Sequence, residues 1–158
     1  MHLGTKFNLD LANKYAKEHS TCAKVQVGSL ITTHGGFGPN IYGCNHGVMD
    51  CKTNGCRRVR LYGENSKIHR LPSDCDALHR EIDAISKAAS KGIKLDGAII
   101  YVTRYPCEGC ARAIGEAGIK KVYYGRGESV SDYTKLILET YGVEVEKVED
   151  WTEEDNNA

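Results

Sequence analysis

Three side chains with metal-binding chemistry and one carboxylate stand out in this 158-residue sequence. His79-Arg80-Glu81 opens one helical stretch and Pro106-Cys107-Glu108-Gly109-Cys110 opens another, each where a strand runs into a helix. A helix N-terminus presents unsatisfied N–H groups and a partial positive charge, which favours the thiolate that zinc requires. The Cys-x-x-Cys turn brings two sulfurs to one ion and His79 adds an imidazole. Three protein ligands with a fourth position left for water mark a catalytic rather than a structural zinc. Glu81, two residues past His79, can lie beside that water without binding the metal. It is the candidate general acid and base, taking a proton from water and delivering it to a ring nitrogen and then to a departing amine. Had Cys107 and Cys110 been half of a structural site with His79 on the surface, Glu81 would have no use.

The elements around these residues follow from apolar spacing. Leu9, Ala12, Tyr15 and Ala16 lie on one face of a helix over residues 8 to 19. Residues 23 to 33 and 40 to 44 are β-branched runs joined by His-Gly-Gly-Phe-Gly-Pro, which reads as a hairpin. From Gly47 to Leu78 the pattern dissolves into a polar, cysteine-bearing insert, too long for an ordinary connection. Then come a helix from His79 closed by Gly92, a strand at 97 to 103, a short helix from Glu108, a strand at 120 to 125, a helix opened by a Ser or Asp cap near 131, and a strand at 143 to 148. Strands separated by helices imply right-handed crossovers and a parallel sheet in the second half, with the hairpin adding antiparallel strands. The expectation is an α/β chain with a single domain over residues 1 to 150, the insert at about 47 to 78, and a frayed tail at 151 to 158.

Composition narrows the function classes. Hydrophobic residues make up 41% and charged residues 27%, and no apolar run approaches the roughly 20 residues of a membrane span. The first residues carry charges throughout and lack an apolar signal core, so a cytoplasmic protein without membrane association is expected. A formal net charge of zero provides no global field toward nucleic acid and favours a small-molecule partner. Seven cysteines in such a chain point to metal or free thiols before disulfides.

His-x-Glu followed by Pro-Cys-x-x-Cys is the signature of the zinc base deaminases. From about Thr21 to Val148 the sequence resembles the deoxycytidylate (dCMP) deaminases of the cytidine deaminase-like superfamily, phage members included. The residues that carry the resemblance are Thr21-Cys22 before VQVGSLIT, then IYGCNHG, HREIDAI, YVTRYPCEGCARAI and GIKKVYY. It implies a three-layer α/β/α sandwich with a five-stranded mixed sheet, and hydrolysis of dCMP to dUMP and ammonia, which supplies dUMP for dTMP synthesis. It also implies a homo-oligomer, a hexamer in many members. Asn45 would contact the sugar, with Val27 and Pro106 as further substrate contacts. An alternative cytosine substrate is 5-hydroxymethyl-dCMP. A base in tRNA or single-stranded nucleic acid needs a basic track and stacking aromatics, against which two Phe and one Trp count. A zinc-stabilised binding module without turnover is the non-enzyme alternative, supported by the insert alone.

Two positions depart from the family's His-Ala-Glu-x-Asn-Ala: Arg80 and Asp83 stand where Ala and Asn are usual. Arg80 is either a solvated helix residue or a phosphate or subunit contact. Asp83 either orients His79 or caps helix charge. Gly43-Cys44-Asn45-His46 replaces the family's Gly-Tyr-Asn-Gly. The resemblance also implies a second, structural zinc, for which Cys22, Cys51, His69 and Cys75 are the candidates, with Cys56 as the alternative to Cys51. Closing such a site would order the insert, because metal binding becomes folding free energy. Arg57, Arg58, Arg60, Lys67 and Arg70 crowd the same segment. One or two of them, with Lys24, are candidates for the 5′-phosphate; the plain alternative is a solvated charged face.

Overall fold

The structure is a computed structural model, and it describes residues 3 to 63, 75 to 129 and 131 to 153. The element order is α1 (Leu3–His19), β1 (Gly28–Thr32), β2 (Asn40–Cys44), β3 (His46–Gly47), α2 (Cys51–Asn54), α3 (Arg57–Tyr62), β4 (Ala77–Leu78), α4 (Arg80–Ser90), β5 (Ile99–Arg104), α5 (Glu108–Glu116), β6 (Lys121–Arg126), α6 (Asp132–Thr140) and β7 (Glu144–Lys147). Five strands form a mixed sheet in the order β2-β1-β5-β6-β7, and β3 and β4 form a small separate ladder. β1 runs antiparallel to both β2 and β5. β5, β6 and β7 run parallel, as the helical crossovers require.

Alternation along the strands sends neighbours to opposite faces. Leu30 and Tyr101 join Leu9, Ala12, Val148 and Trp151 under α1. Ile31, Ile100 and Val102 point the other way, into the core formed with Ala84 and Ala88 of α4, Ile114 of α5 and Leu138 of α6. Helices thus cover both faces of a five-stranded mixed sheet. The hairpin between β1 and β2 turns through His34, Gly35 and Gly36, all with positive φ. Among the described residues no helix is long and apolar enough to cross a membrane.

Three local readings change. Only Gly28–Thr32 of the long run at 23 to 33 is a strand. The residues before it are held by side chains instead of a ladder: Gln26 Nε2 donates to Cys22 O at 2.7 Å and Asn45 Nδ2 to Val25 O at 2.8 Å. The insert is not structureless, for Asp50 accepts from Lys52 N at 2.8 Å and caps the short α2. Trp151, expected in a frayed tail, is 4% exposed, and its Nε1 donates to Asp10 Oδ1 at 2.8 Å. A large indole finds a polar partner for its N–H and packs the rest against α1.

Candidate active site

α4 follows the short β4 and α5 follows β5, the central strand of the sheet, and their N-caps are His79 and Cys107. His79 Nδ1 lies 3.4 Å from Cys107 Sγ and 3.4 Å from Cys110 Sγ. Zinc bonds of about 2.0–2.1 Å to nitrogen and about 2.3 Å to sulfur, set at a tetrahedral angle, separate the two ligand atoms by roughly 3.5 Å. The arrangement therefore fits one tetrahedral ion. Among the described residues this is the one group of His, Cys, Asp or Glu side chains whose ligand atoms all lie within 4.8 Å of one another.

The two thiols are shifted in opposite directions. Hydrogen bonds from Cys110 first and His79 second draw Cys107 down to about 3. Cys110 moves far upward, through its hydrogen bond to Cys107, its burial and the nearby charge of Glu81. The His79 imidazole is pushed up by its hydrogen bond to Cys107, against its burial. A divalent cation held by these three side chains would displace the thiol protons and keep both sulfurs as thiolates.

Glu81 is 0% exposed. Arg80 Nη2 stands 2.9 Å from its Oε1, yet neither carboxylate oxygen has a hydrogen bond of good geometry. A buried carboxylate in that condition is costly unless something completes it, as a water or a substrate N–H at the cluster would. What sets this turn in place is the pair β1 and β2. Ser29 Oγ donates to Arg80 O at 2.8 Å, and a Cβ added to Gly43 would collide with that carbonyl and stand 2.8 Å from Ala84 N. Only glycine lets the strand come this close.

A cleft of about 360 Å³ opens beside His79, walled by Val27, Asn45, Ala77 and Leu78 and rimmed by Lys24, Arg58, Arg80 and Arg104. Among the described residues no Asp or Glu lines it. Asn45 spends most of its amide on the wall: Oδ1 accepts from Ser20 Oγ at 2.7 Å and from Val27 N at 3.0 Å, and Nδ2 donates to Val25 O. Among the described residues one amide hydrogen has no such partner and can meet a ligand. Pro106 is buried directly ahead of Cys107, in the turn that presents the sulfur, and is not among the described residues that line this cleft. A second cavity of about 350 Å³ shares His79, Arg80 and Arg104 and extends past Cys107 to Arg126 and Glu128.

The departures from the family pattern are buried and paired. Arg80 is 8% exposed, which removes the solvated reading, and its Nη2 donates to Arg104 O at 2.7 Å and Tyr105 O at 3.2 Å. The Asp83 side chain turns to groups other than the His79 ring; it lies in the first turn of α4 and pairs with Lys87 one turn on, as the helix-charge reading expects. Its Oδ2 accepts from Cys44 N at 3.0 Å and Lys87 Nζ at 2.9 Å, and its Oδ1 lies 2.7 Å from His46 Nε2. Arg104 was not legible as a site residue. The available signal was its place at the C-terminal end of a parallel strand, where ligands of open α/β sheets bind.

Of the second set of cysteines, Cys22, Cys56 and Cys75 line the cleft. Cys51 lies close to all three: burial raises its thiol first, and then the charges of Cys56, Cys22 and Cys75. Burial also pushes Cys56 up, but the backbone N–H groups of Val59 and Arg58 outweigh it and bring the thiol below its ordinary value. His69, Lys67 and Arg70 lie outside the described residues. Of the basic residues in the insert, Arg58 reaches the cleft, Arg57 pairs with Asp76 at 3.7 Å and Arg60 is exposed.

Residues 8 to 154 match the MafB19-like deaminase family. The chain belongs to that family. It is 34% identical over 135 residues to ComE operon protein 2 of Bacillus subtilis (strain 168), an alignment covering 82% of this chain and 64% of that protein. It is 42% identical over 67 residues to the deoxycytidylate deaminase of Enterobacteria phage T2, covering 42% of this chain and 36% of the relative. The chain thus spans under two thirds of the length of these two relatives. Among solved structures, the dCMP deaminase of cyanophage S-TIM5 in its apo form superposes with a TM-score of 0.65 at 27% identity, covering 91% of this chain and 96% of that one. The same phage enzyme has been solved in complex with dCMP and dUMP. The five-stranded mixed sheet with its helices is the cytidine deaminase-like fold of these neighbours.

Proposed function

We propose that the protein hydrolyses the exocyclic amine of a cytosine mononucleotide, dCMP, releasing dUMP and ammonia. The observation that carries this reading is the cleft beside His79, which Lys24, Arg58 and Arg104 line and which, among the described residues, no carboxylate lines. Such a rim suits a substrate that brings its own negative charge. His79, Cys107 and Cys110 would hold zinc, which when bound supplies a water acidic enough to react at neutral pH. Glu81 would accept one proton of water and pass it to N3 as oxygen adds at C4, then take the remaining hydroxyl proton at C4 and pass it to the amine, which leaves as ammonia while C4 becomes a carbonyl. Its burial keeps bulk water from competing for those transfers. Val27 and the remaining amide hydrogen of Asn45 meet the nucleoside, and Lys24, Arg58 and Arg104 receive the phosphate.

The test follows ammonia release from dCMP, CMP, deoxycytidine, cytosine, 5-hydroxymethyl-dCMP and short single-stranded RNA and DNA, with Glu81→Ala as control. Turnover of dCMP that is lost in Glu81→Ala is expected. Turnover confined to polynucleotide would overturn the substrate, and a near-normal rate in Glu81→Ala would overturn the mechanism. The reading includes a second, structural zinc on Cys22, Cys75, His69 and Cys51 or Cys56. Metal analysis of freshly purified, unchelated protein should find two zinc ions per chain, and one would reject this part.

A further inference from the structure

Arg80 sits between a metal ligand and the proton-transferring carboxylate, and it touches both halves of the site. Its carbonyl is clamped to the sheet by Ser29 Oγ at 2.8 Å. Its guanidinium crosses in the other direction, from the first turn of α4 to the end of β5. There a single nitrogen, Nη2, meets Arg104 O at 2.7 Å, Tyr105 O at 3.2 Å and Glu81 Oε1 at 2.9 Å. The two carbonyls belong to the residues just ahead of Pro106 and Cys107. One guanidinium therefore joins the segment that carries His79 and Glu81 to the turn that carries Cys107 and Cys110.

We propose that Arg80 is a positioning residue that cross-links the two ligand-bearing segments and fixes the direction of the Glu81 carboxylate. The inference rests on the metal and acid–base roles given above. Two alternatives fit less well. A solvated helix residue would not be 8% exposed. A substrate phosphate contact would compete with protein partners, because Nη2 already meets three protein oxygens. With alanine at this position, the turn before Cys107 would lose both donated bonds and Glu81 its paired charge.

The experiment compares wild type, Arg80→Ala and Arg80→Lys in two assays. One measures kcat and KM for dCMP. The other measures the rate at which loaded zinc passes to a chromogenic chelator, which needs no turnover. Groups that hold metal ligands and catalytic side chains in place are typically worth about 10–100-fold in affinity or activity. Arg80→Ala should lower kcat by about that factor with KM within about threefold, and should speed zinc release by about tenfold. Arg80→Lys, which retains the charge but not the planar fork, should recover part of both losses. A rise in KM with kcat and zinc release unchanged would make Arg80 a ligand contact and overturn the proposal. Wild-type values in both assays would overturn it as well. If Arg80→Ala does not fold, Arg80→Lys decides: a loss of about threefold or more in kcat at constant KM, with faster zinc release, supports the cross-link, and wild-type behaviour refutes it. If the wild type releases no ammonia from any cytosine nucleotide, the functional reading fails, while the zinc-release comparison still decides the role of Arg80.

Discussion

Replacing Gly43 by alanine adds one methyl group where β2 meets the first turn of α4. Gly43 has no positive φ, so alanine suits its backbone and the cost is steric alone. The new carbon would stand 2.7 Å from Ser29 Oγ and 2.8 Å from Ala84 N, with Arg80 O nearer than either. A carbon needs about 3.3 Å from an oxygen. At least roughly 0.6 Å must be found against Ser29, and more against the Arg80 carbonyl. Overpacking of this kind costs about 1–3 kcal/mol, and loss of the Ser29–Arg80 hydrogen bond adds about 1 kcal/mol. The sum, about 2–4 kcal/mol, should lower Tm by roughly 5–15 °C for a domain of this size. Because the displaced turn carries His79 and Glu81, a shift approaching 1 Å should also reduce kcat by about 10²-fold. Thermal unfolding and steady-state rates at 20 °C on the folded protein measure both effects. Gly4→Ala, in exposed helix with open space around it, is the control and should match or slightly exceed wild-type stability. If Gly43→Ala melts within about 2 °C of wild type and retains full rate, close approach of β2 is not what places the catalytic turn.

Four further outcomes are expected. Glu81→Gln should lose about 10²–10⁴ in kcat while unfolding within about 1 kcal/mol of wild type, because it removes a buried charge together with its pairing; strong destabilisation would contradict that balance. Alanine at Arg58 or Arg104 should raise KM for dCMP at least about tenfold with little effect on deoxycytidine, and equal effects on both would reject phosphate contact. Trp151→Ala should cost about 3–5 kcal/mol in urea unfolding; a neutral result would mean the indole is not part of the core. Burial, followed by the Asp83 charge, pushes the Cys44 thiol up to about 11, so less of it is thiolate at any working pH. In alkylation at pH 8 monitored by peptide mass, Cys44 should lag an ordinary exposed thiol by about a hundredfold or more, whereas labelling at the rate of free cysteine would refute its burial.

The parts of this molecule that were legible in its sequence are those set by local pattern. His79, Cys107 and Cys110 are close in space because the starts of α4 and α5 meet, with Glu81 in the first turn of α4, and both starts show in the chain as a polar ligand followed by a helical apolar period. The parallel order of β5, β6 and β7 follows from helices placed between strands. The early boundary of β1 was not legible. Residues 23 to 27 have strand composition, but Asn45 supplies their hydrogen bonds from 18 to 20 residues away, and no periodicity records a partner that distant. Trp151 was misplaced for a related reason: its acidic neighbours read as tail, while its contacts lie at Asp10, across the sheet face.

The charged substitutions in α4 show the limit of reading such residues singly. Arg80 and Asp83, taken as points on a helical wheel, look like exposed polar positions. Both are buried, and each is matched by groups that the rest of the chain provides. Arg80 has the carbonyls at the end of β5 and the carboxylate of Glu81. Asp83 has Lys87 one turn on, His46 at the position where the family pattern carries glycine, and the N–H of Cys44. Burial alone would lower Lys87, but hydrogen bonds to Tyr15 and Asp83 outweigh it and keep the ammonium charged. A lone charge at either site would cost several kcal/mol, so the changes at positions 46, 80 and 83 make physical sense together and not one at a time. That coupling makes Asp83→Asn a sharper test than a deletion. Asparagine restores the family's usual residue but leaves Lys87 and His46 without their anion, so it should destabilise the fold by about 1–3 kcal/mol. Adding His46→Gly should recover less than the loss, because Lys87 keeps its unpaired charge. A neutral Asp83→Asn would show that the network is decoration on a turn already held by Gly43 and Ser29.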